Sequence, residues 1–142
     1  MIDFKLGELF CGPGGMGLGA INSKCTHNNV KYTISHAWAN DYDKSSCETY
    51  RANIAKTDKD SVINCDVKDL DLNKLPRIDG FAYGFPCNDF SLVGEQKGLN
   101  GKFGGLYTYG LKVIDLMNPK FIVAENVGGL SSSNEGKAFE LI

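Results

Sequence analysis

The chain predicts an α/β domain built on a largely parallel sheet, and three features of its 142 residues carry that prediction. Short β-rich runs alternate with stretches of helical spacing along the whole length. The first such run feeds a glycine turn and then a helix. The last, "FIVA", is continuously apolar, as strands buried between two helical layers are. With 42% hydrophobic residues the chain can bury the core of one globular domain, or of part of a larger one.

The elements follow in order. "FKLGELF" (4–10) reads as a strand entering the turn "CGPGG" (11–15), and "MGLGAINSK" (16–24) reads as a short helix with Cys25 at its end. "KYTISHAWA" (31–39) is β-rich and half alternating, a second strand. "DKSSCETYRANI" (43–54) places Cys47, Tyr50 and Ile54 on one helical face, with Asp43 as its N-cap. "SVINCDV" (61–67) and "IDGFAYG" (78–84) are further strands, and 85–104 is a long loop rich in Gly, Asn, Asp and Ser. "GLYTYGLKVIDLM" (105–117) aligns Leu106, Tyr109, Val113 and Met117 on a helix, and Pro119 follows its end. "KFIVAEN" (120–126) is expected to be a buried strand, and 131–142 begins another helix. The chain stops inside that helix, so the reading expects either a truncated polypeptide or a domain completed by another chain.

Composition excludes several classes. A formal charge of −2 lacks the basic footprint of a free-standing nucleic-acid binder. The five cysteines form no C-x-x-C pair, and His27 and His36 stand at no metal-ligand spacing from them. No metal site or disulfide framework is therefore expected, and reduced thiols place the protein in the cytoplasm. Cys25, Cys47 and Cys65 are expected to be small buried hydrophobes. There is no secretory h-region or long apolar run, so neither export nor a membrane role is expected.

Candidate chemistry lies at the strand ends. Gly12, Gly14 and Gly15 occupy a strand-to-helix turn, where backbone approaches a ligand and the helix N-terminus favours an anion; an ordinary turn reads the same way. Asp41 follows the second strand, where a carboxylate accepts from ribose hydroxyls, and Tyr42 beside it can stack on a purine; a solvated loop is the alternative. Asp66 and Val67 follow the third strand, where a carboxylate can take an adenine amino group. All of these fall on the carboxyl edge of the sheet, where α/β proteins bind ligands. Cys87 follows the fourth strand in "GFPCNDFS", on a loop shaped by Pro86. An exposed thiol there can act as a nucleophile. Glu125 ends the fifth strand, as a general acid, a grip on a heterocycle nitrogen, or a cap on backbone amides.

"ELFCGPGG", "GFPCNDFS" and "AENV", in this order, resemble the cytosine C5 DNA methyltransferases, and the resemblance covers essentially the whole chain. It implies a Rossmann-like sheet with S-adenosylmethionine as cofactor. Phe10 would meet the adenine, Gly12, Gly14 and Gly15 the methionine part, and Asp41 the ribose. Tyr42, Asp66, Val67 and Leu106 would complete the pocket. Cys87 would add to C6 of a flipped cytosine while Glu125 holds N3, with Pro86, Asn88, Ser91 and Asn126 positioning the base. Residues 1–142 would be the N-terminal part of the catalytic domain.

The family often has Asp where this chain has Glu8, Gln at Asn88, and Arg near Phe103. Its later motifs and its recognition domain are not among these residues. The resemblance therefore implies a DNA substrate reached through a missing portion or a second subunit. A bacterial or phage-like restriction-modification setting follows, nucleoid-associated when on DNA. A tRNA cytosine methyltransferase and an inactive cofactor-binding subunit are the alternatives.

Overall fold

The computed structural model describes residues 1–85 and 105–126. The elements are β1 (Ile2–Leu9), α1 (Gly15–Asn22), β2 (Lys24–His27), β3 (Val30–Asp41), α2 (Lys44–Asn53), β4 (Val62–Asn64), β5 (Gly80–Tyr83), α3 (Tyr107–Met117) and β6 (Phe121–Ala124). Single 3-10 turns cover Lys59–Ser61, Val67–Asp69 and Leu72–Lys74. The loop expected at 85–104, beyond its first residue, and the helix expected at 131–142 lie outside the described residues.

Among the described residues six strands form one sheet. β1 pairs in parallel with β3 on one side and β5 on the other, β5 continues to β6, and β4 pairs with the end of β3. The expected parallel α/β architecture is thus present. Strand β1 is mostly exposed and β3 mostly half-buried where they begin, and both are buried where they end: Leu6–Leu9 and Trp38–Asp41 are all buried. The interior therefore sits toward the carboxyl edge, where side chains on both faces of the sheet are covered.

Packing at that edge dictates several residue types. Trp38 is buried across Gly7, where any Cβ would lie 2.5 Å from the indole, and its Nε1–H donates to the Pro76 carbonyl at 3.1 Å. Phe81 stacks on Tyr83 with centroids 5.0 Å apart, and Tyr83 lies over Gly110 of α3. Asp43 caps α2, its carboxylate accepting the Ser46 N–H at 2.7 Å. Helix α3 ends at Asn118, whose left-handed φ of 48° closes the last turn ahead of Pro119.

Four expectations are corrected. Cys25 does not end a helix: α1 stops at Asn22, and Cys25 is an exposed residue of β2. Asn28 and Asn29 both take positive φ (49° and 61°), forming the kind of tight turn that folds 24–27 back antiparallel onto 30–33. Cys65 is partly buried and lies just beyond β4. The strand expected over 61–67 is limited to Val62–Asn64, because the Asp66 carboxylate accepts the Lys68 N–H at 3.0 Å and turns the chain. Finally, β6 is not buried. It pairs only with β5 among the described residues, and Ile122 and Val123 are 44% and 49% exposed.

Gly14 shows how tightly the turn is seated. Its φ is 99°, and a Cβ there would lie 2.8 Å from Tyr50 Cδ2 and collide with Ile54. Gly12, at φ 53°, has nothing within 4 Å of its Cβ position. Gly14→Ala is therefore expected to cost about 2–4 kcal/mol and Gly12→Ala only about 1 kcal/mol in urea unfolding. Equal losses would show that backbone conformation alone, not the Tyr50 contact, decides the site.

Candidate functional site

Three buried polar residues, Glu8, Asn40 and Asp41, lie at the carboxyl ends of the adjacent strands β1 and β3. Buried polar groups cost free energy unless partnered, and their partners define the site. Asp41 Oδ2 accepts the Gly12 N–H at 2.8 Å, and Oδ1 accepts the Asp43 N–H at 2.9 Å. One carboxylate thus ties the glycine turn to the cap of α2. Asn40 donates from Nδ2 to the carbonyls of Ile63 and Cys65, both at 3.0 Å, and its backbone carbonyl accepts the Cys11 N–H at 3.1 Å. It therefore holds the ends of β1 and β4 beside β3. None of these long-range partners has a signal in sequence spacing.

The turn itself is packed beneath and open above. Phe10, Gly12 and Gly14 all have positive φ. Gly14 and Gly17 press on Tyr50, whereas Gly12 and Gly15 have nothing within 4 Å of where a Cβ would stand. An open backbone of this kind admits close approach by a ligand. Tyr42, next in sequence to the Asp41 that holds Gly12, is 76% exposed. Phe10, Val67 and Leu106 all belong to or pack against one apolar cluster that contains Leu9, Trp38, Phe81 and Val113. These three expected pocket residues therefore share one apolar cluster. Asp66, by contrast, is exposed and caps a 3-10 turn.

Glu8 is fully buried and receives the Tyr50 hydroxyl at 2.8 Å on Oε2 and a hydrogen bond from the Gly17 N–H. Burial, only partly offset by those two bonds, pushes its carboxyl up to about 7. Burial and the nearby Glu8 also push the Tyr50 phenol up. Cys11, buried next to Glu8 and Asp41, has its thiol pushed up, first by burial and then by those carboxylates. It is a packed, neutral thiol, unlike the activated thiolate that nucleophilic chemistry needs.

The second half of the site sits beyond β5 and β6. The Glu125 N–H donates to the Tyr83 carbonyl at 3.0 Å, and Asn126 Nδ2 donates to the Phe85 carbonyl at 3.1 Å. Glu125 Oε2 lies 3.0 Å from the Cβ position of Gly84, and Met16 of α1 lies 3.5 Å from the same point. Glu125 itself is exposed. Pro86, Cys87, Asn88 and Ser91 lie outside the described residues. The chain enters them directly from Gly84 and Phe85.

Strand order reverses at β1: the chain winds outward to β3 and β4, then returns to β5 on the other side. Ligands bind at such a switch point in open α/β sheets, and here the glycine turn and Gly84 flank it. This is the fold of the S-adenosylmethionine-dependent methyltransferases. It matches the solved S. pombe Dnmt2 methyltransferase with a TM-score of 0.65 at 20% identity, over 97% of this chain and 40% of that one.

Residues 4–142 match the C-5 cytosine-specific DNA methylase family, and the chain belongs to it. It is 52% identical to Type II methyltransferase M.BbvI of Brevibacillus brevis over 97% of this chain and 38% of that protein. Identity to Type II methyltransferase M.NgoFVII of Neisseria gonorrhoeae is 36%, over 97% of this chain and 34% of that protein. The chain thus spans little more than a third of these relatives. No helix among the described residues is long and apolar enough to cross a membrane.

Proposed function

We propose that this chain is the cofactor-binding and nucleophile-bearing part of a DNA cytosine C5 methyltransferase of a bacterial restriction-modification system. The observation that carries the reading is the juxtaposition at the switch point of an open glycine turn with the Glu125 carboxylate over Gly84. Family membership supplies the reaction class.

The open turn fits S-adenosylmethionine. Gly12 and Gly15 would take its methionine part, with Asp41 at the ribose, Tyr42 and Phe10 at the adenine, and Asp66, Val67 and Leu106 around it. When bound, that cofactor supplies the electrophilic methyl group that cytosine C5 accepts. Cys87, as thiolate, forms a bond to C6 of a cytosine taken out of the stack. Glu125 holds the ring at N3 and delivers a proton there, so the ring charge raised by thiolate attack is neutralised. Pro86, Asn88, Ser91 and Asn126 position the base. Loss of the C5 proton to a base, breakage of the C6–S bond and return of the N3 proton to Glu125 then restore the aromatic ring and free Cys87. The remaining DNA-reading surface belongs to a further portion of the protein or to a second subunit, and the assembly works in the bacterial cytoplasm, on the nucleoid.

The test offers the protein carrying this chain, with any subunit that co-purifies, methyl-labelled S-adenosylmethionine and either duplex DNA or tRNA. Label is expected in 5-methylcytosine of the DNA. Label confined to tRNA would replace the DNA reading with the tRNA one. Binding of the cofactor with label in neither would leave a cofactor-binding subunit without transfer.

A further inference from the structure

A chain of polar contacts beneath the glycine turn, buried at its Glu8 end, is not used by the chemistry above. It runs from Glu8 of β1 through Tyr50 of α2 to His36 of β3 and Ser61. Tyr50 Oη lies 2.8 Å from Glu8 Oε2 and 3.2 Å from His36 Nδ1, and His36 Nε2 lies 2.7 Å from Ser61 Oγ. Ser61 Oγ donates to the Asp58 carbonyl at 2.6 Å.

That last bond sets the direction of the rest. A serine hydroxyl has one hydrogen, and Asp58 takes it, so Ser61 accepts from His36 and Nε2 carries a proton. In a neutral ring Nδ1 is then an acceptor facing Tyr50. The phenol also has a single hydrogen but two partners. Two arrangements satisfy both contacts. In one, Glu8 is protonated and donates to Tyr50, which donates to neutral His36. In the other, the Glu8 carboxylate accepts from Tyr50, which accepts from a His36 imidazolium. Both hold the same number of protons. Remove one and Tyr50 is left with a lone-pair contact on one side.

Tyr50 is also the floor of the turn. Its ring meets the Cβ position of Gly14, its hydroxyl lies 2.6 Å from that of Gly17, and the Gly17 N–H bonds the same Glu8 carboxyl. We infer that Tyr50 is a positioning residue for the glycine turn, its ring flooring the turn and its hydroxyl linking Glu8 and His36 through one shared proton. Burial favours the uncharged arrangement, since it moves Glu8 up and His36 down.

Of the other titratable groups facing this chain among the described residues, Asp58 opposes that balance, and burial outweighs it. Cys11 and Cys47 have thiols pushed up by burial and stay neutral. Asp41 is engaged by two backbone N–H groups, and Asp58 acts on His36 by its charge, favouring the imidazolium.

The inference rests on the reading of this turn as the cofactor site, and the test separates the two. Imidazole nitrogen NMR of the protein carrying this chain is expected to show His36 as the neutral Nε2–H tautomer near pH ~7, its imidazolium forming only below the ordinary imidazole range. Tyr50→Phe keeps the ring and removes the hydroxyl. It is expected to shift the His36 midpoint by about half a pH unit or more, to speed Gly17 amide exchange about tenfold, and to weaken S-adenosylhomocysteine binding about five- to tenfold. An Nδ1–H tautomer in the wild type, a measurement that needs no variant, overturns the shared proton. So does a His36 titration that Tyr50→Phe leaves unchanged. Unchanged Gly17 exchange in Tyr50→Phe overturns the positioning role. If the NMR and exchange results hold while no preparation binds S-adenosylhomocysteine, the cofactor reading fails and the positioning of the turn stands.

Discussion

Cys87→Ser is expected to abolish the covalent complex that the active assembly forms with DNA carrying 5-fluorocytosine, and to lower methylation on the order of 10⁴-fold or more. Fluorine at C5 blocks the proton loss that would release the enzyme, so the adduct accumulates only if a side chain has already bonded to C6. A serine hydroxyl stays protonated at neutral pH, whereas a thiol is partly thiolate and intrinsically more nucleophilic. Among the other cysteines, Cys11, Cys47 and Cys65 have thiols pushed up, first by burial, and Cys25 is exposed on β2, at the far end of β3 from the carboxyl edge. None of them can substitute. Glu125→Gln, which keeps the shape but holds no transferable proton, is expected to slow adduct formation about 10²–10⁴-fold. An adduct that persists in Cys87→Ser removes the nucleophile assignment. An unchanged rate in Glu125→Gln removes the acid while leaving the thiol in place.

The second large effect is on stability. Glu8 titrates at about 7 in the folded protein against an ordinary 4.5. A folded-state value above the unfolded one means that folding takes up a proton. The stabilisation is fully present below pH ~4.5 and is lost as pH rises through about 7. The difference between the two values corresponds to about 3 kcal/mol. His36 runs the opposite way, because burial lowers its value and folding then sheds a proton below pH ~6.5. Comparing Glu8→Gln with the wild type isolates the carboxyl. Between pH ~4.5 and pH ~8 the variant is expected to gain about 3 kcal/mol relative to the wild type in urea unfolding. A difference that does not change with pH would show that Glu8 ionises as it would in water.

Much of this was legible beforehand because it is local. Alternating runs mark strands and helices, Asp43 sits where a cap is needed, and the motifs through Gly12–Gly15 and Glu125 lie at strand ends. The errors were local too, where a short-range signal competed with the periodic one. Asn28–Asn29 turned the chain into a hairpin through a stretch read as helix and connector, and Asp66 shortened a strand by bonding two residues onward. The apolar run "FIVA" implied burial, but burial depends on what covers a strand, and among the described residues only β5 pairs with β6.

The sequence by itself determined the α/β class and the family, and it named a candidate nucleophile and acid, since these depend on residue type and order along the chain. Only the tertiary structure decided that Asp41 braces the glycine turn, that Asn40 holds the neighbouring strand ends, and that Tyr50 joins Glu8 to His36. Those contacts link residues 14 to 42 positions apart. Partners at such distances are chosen by strand order and by the need to satisfy polar groups that the sheet has buried, and no spacing rule along the chain records that choice.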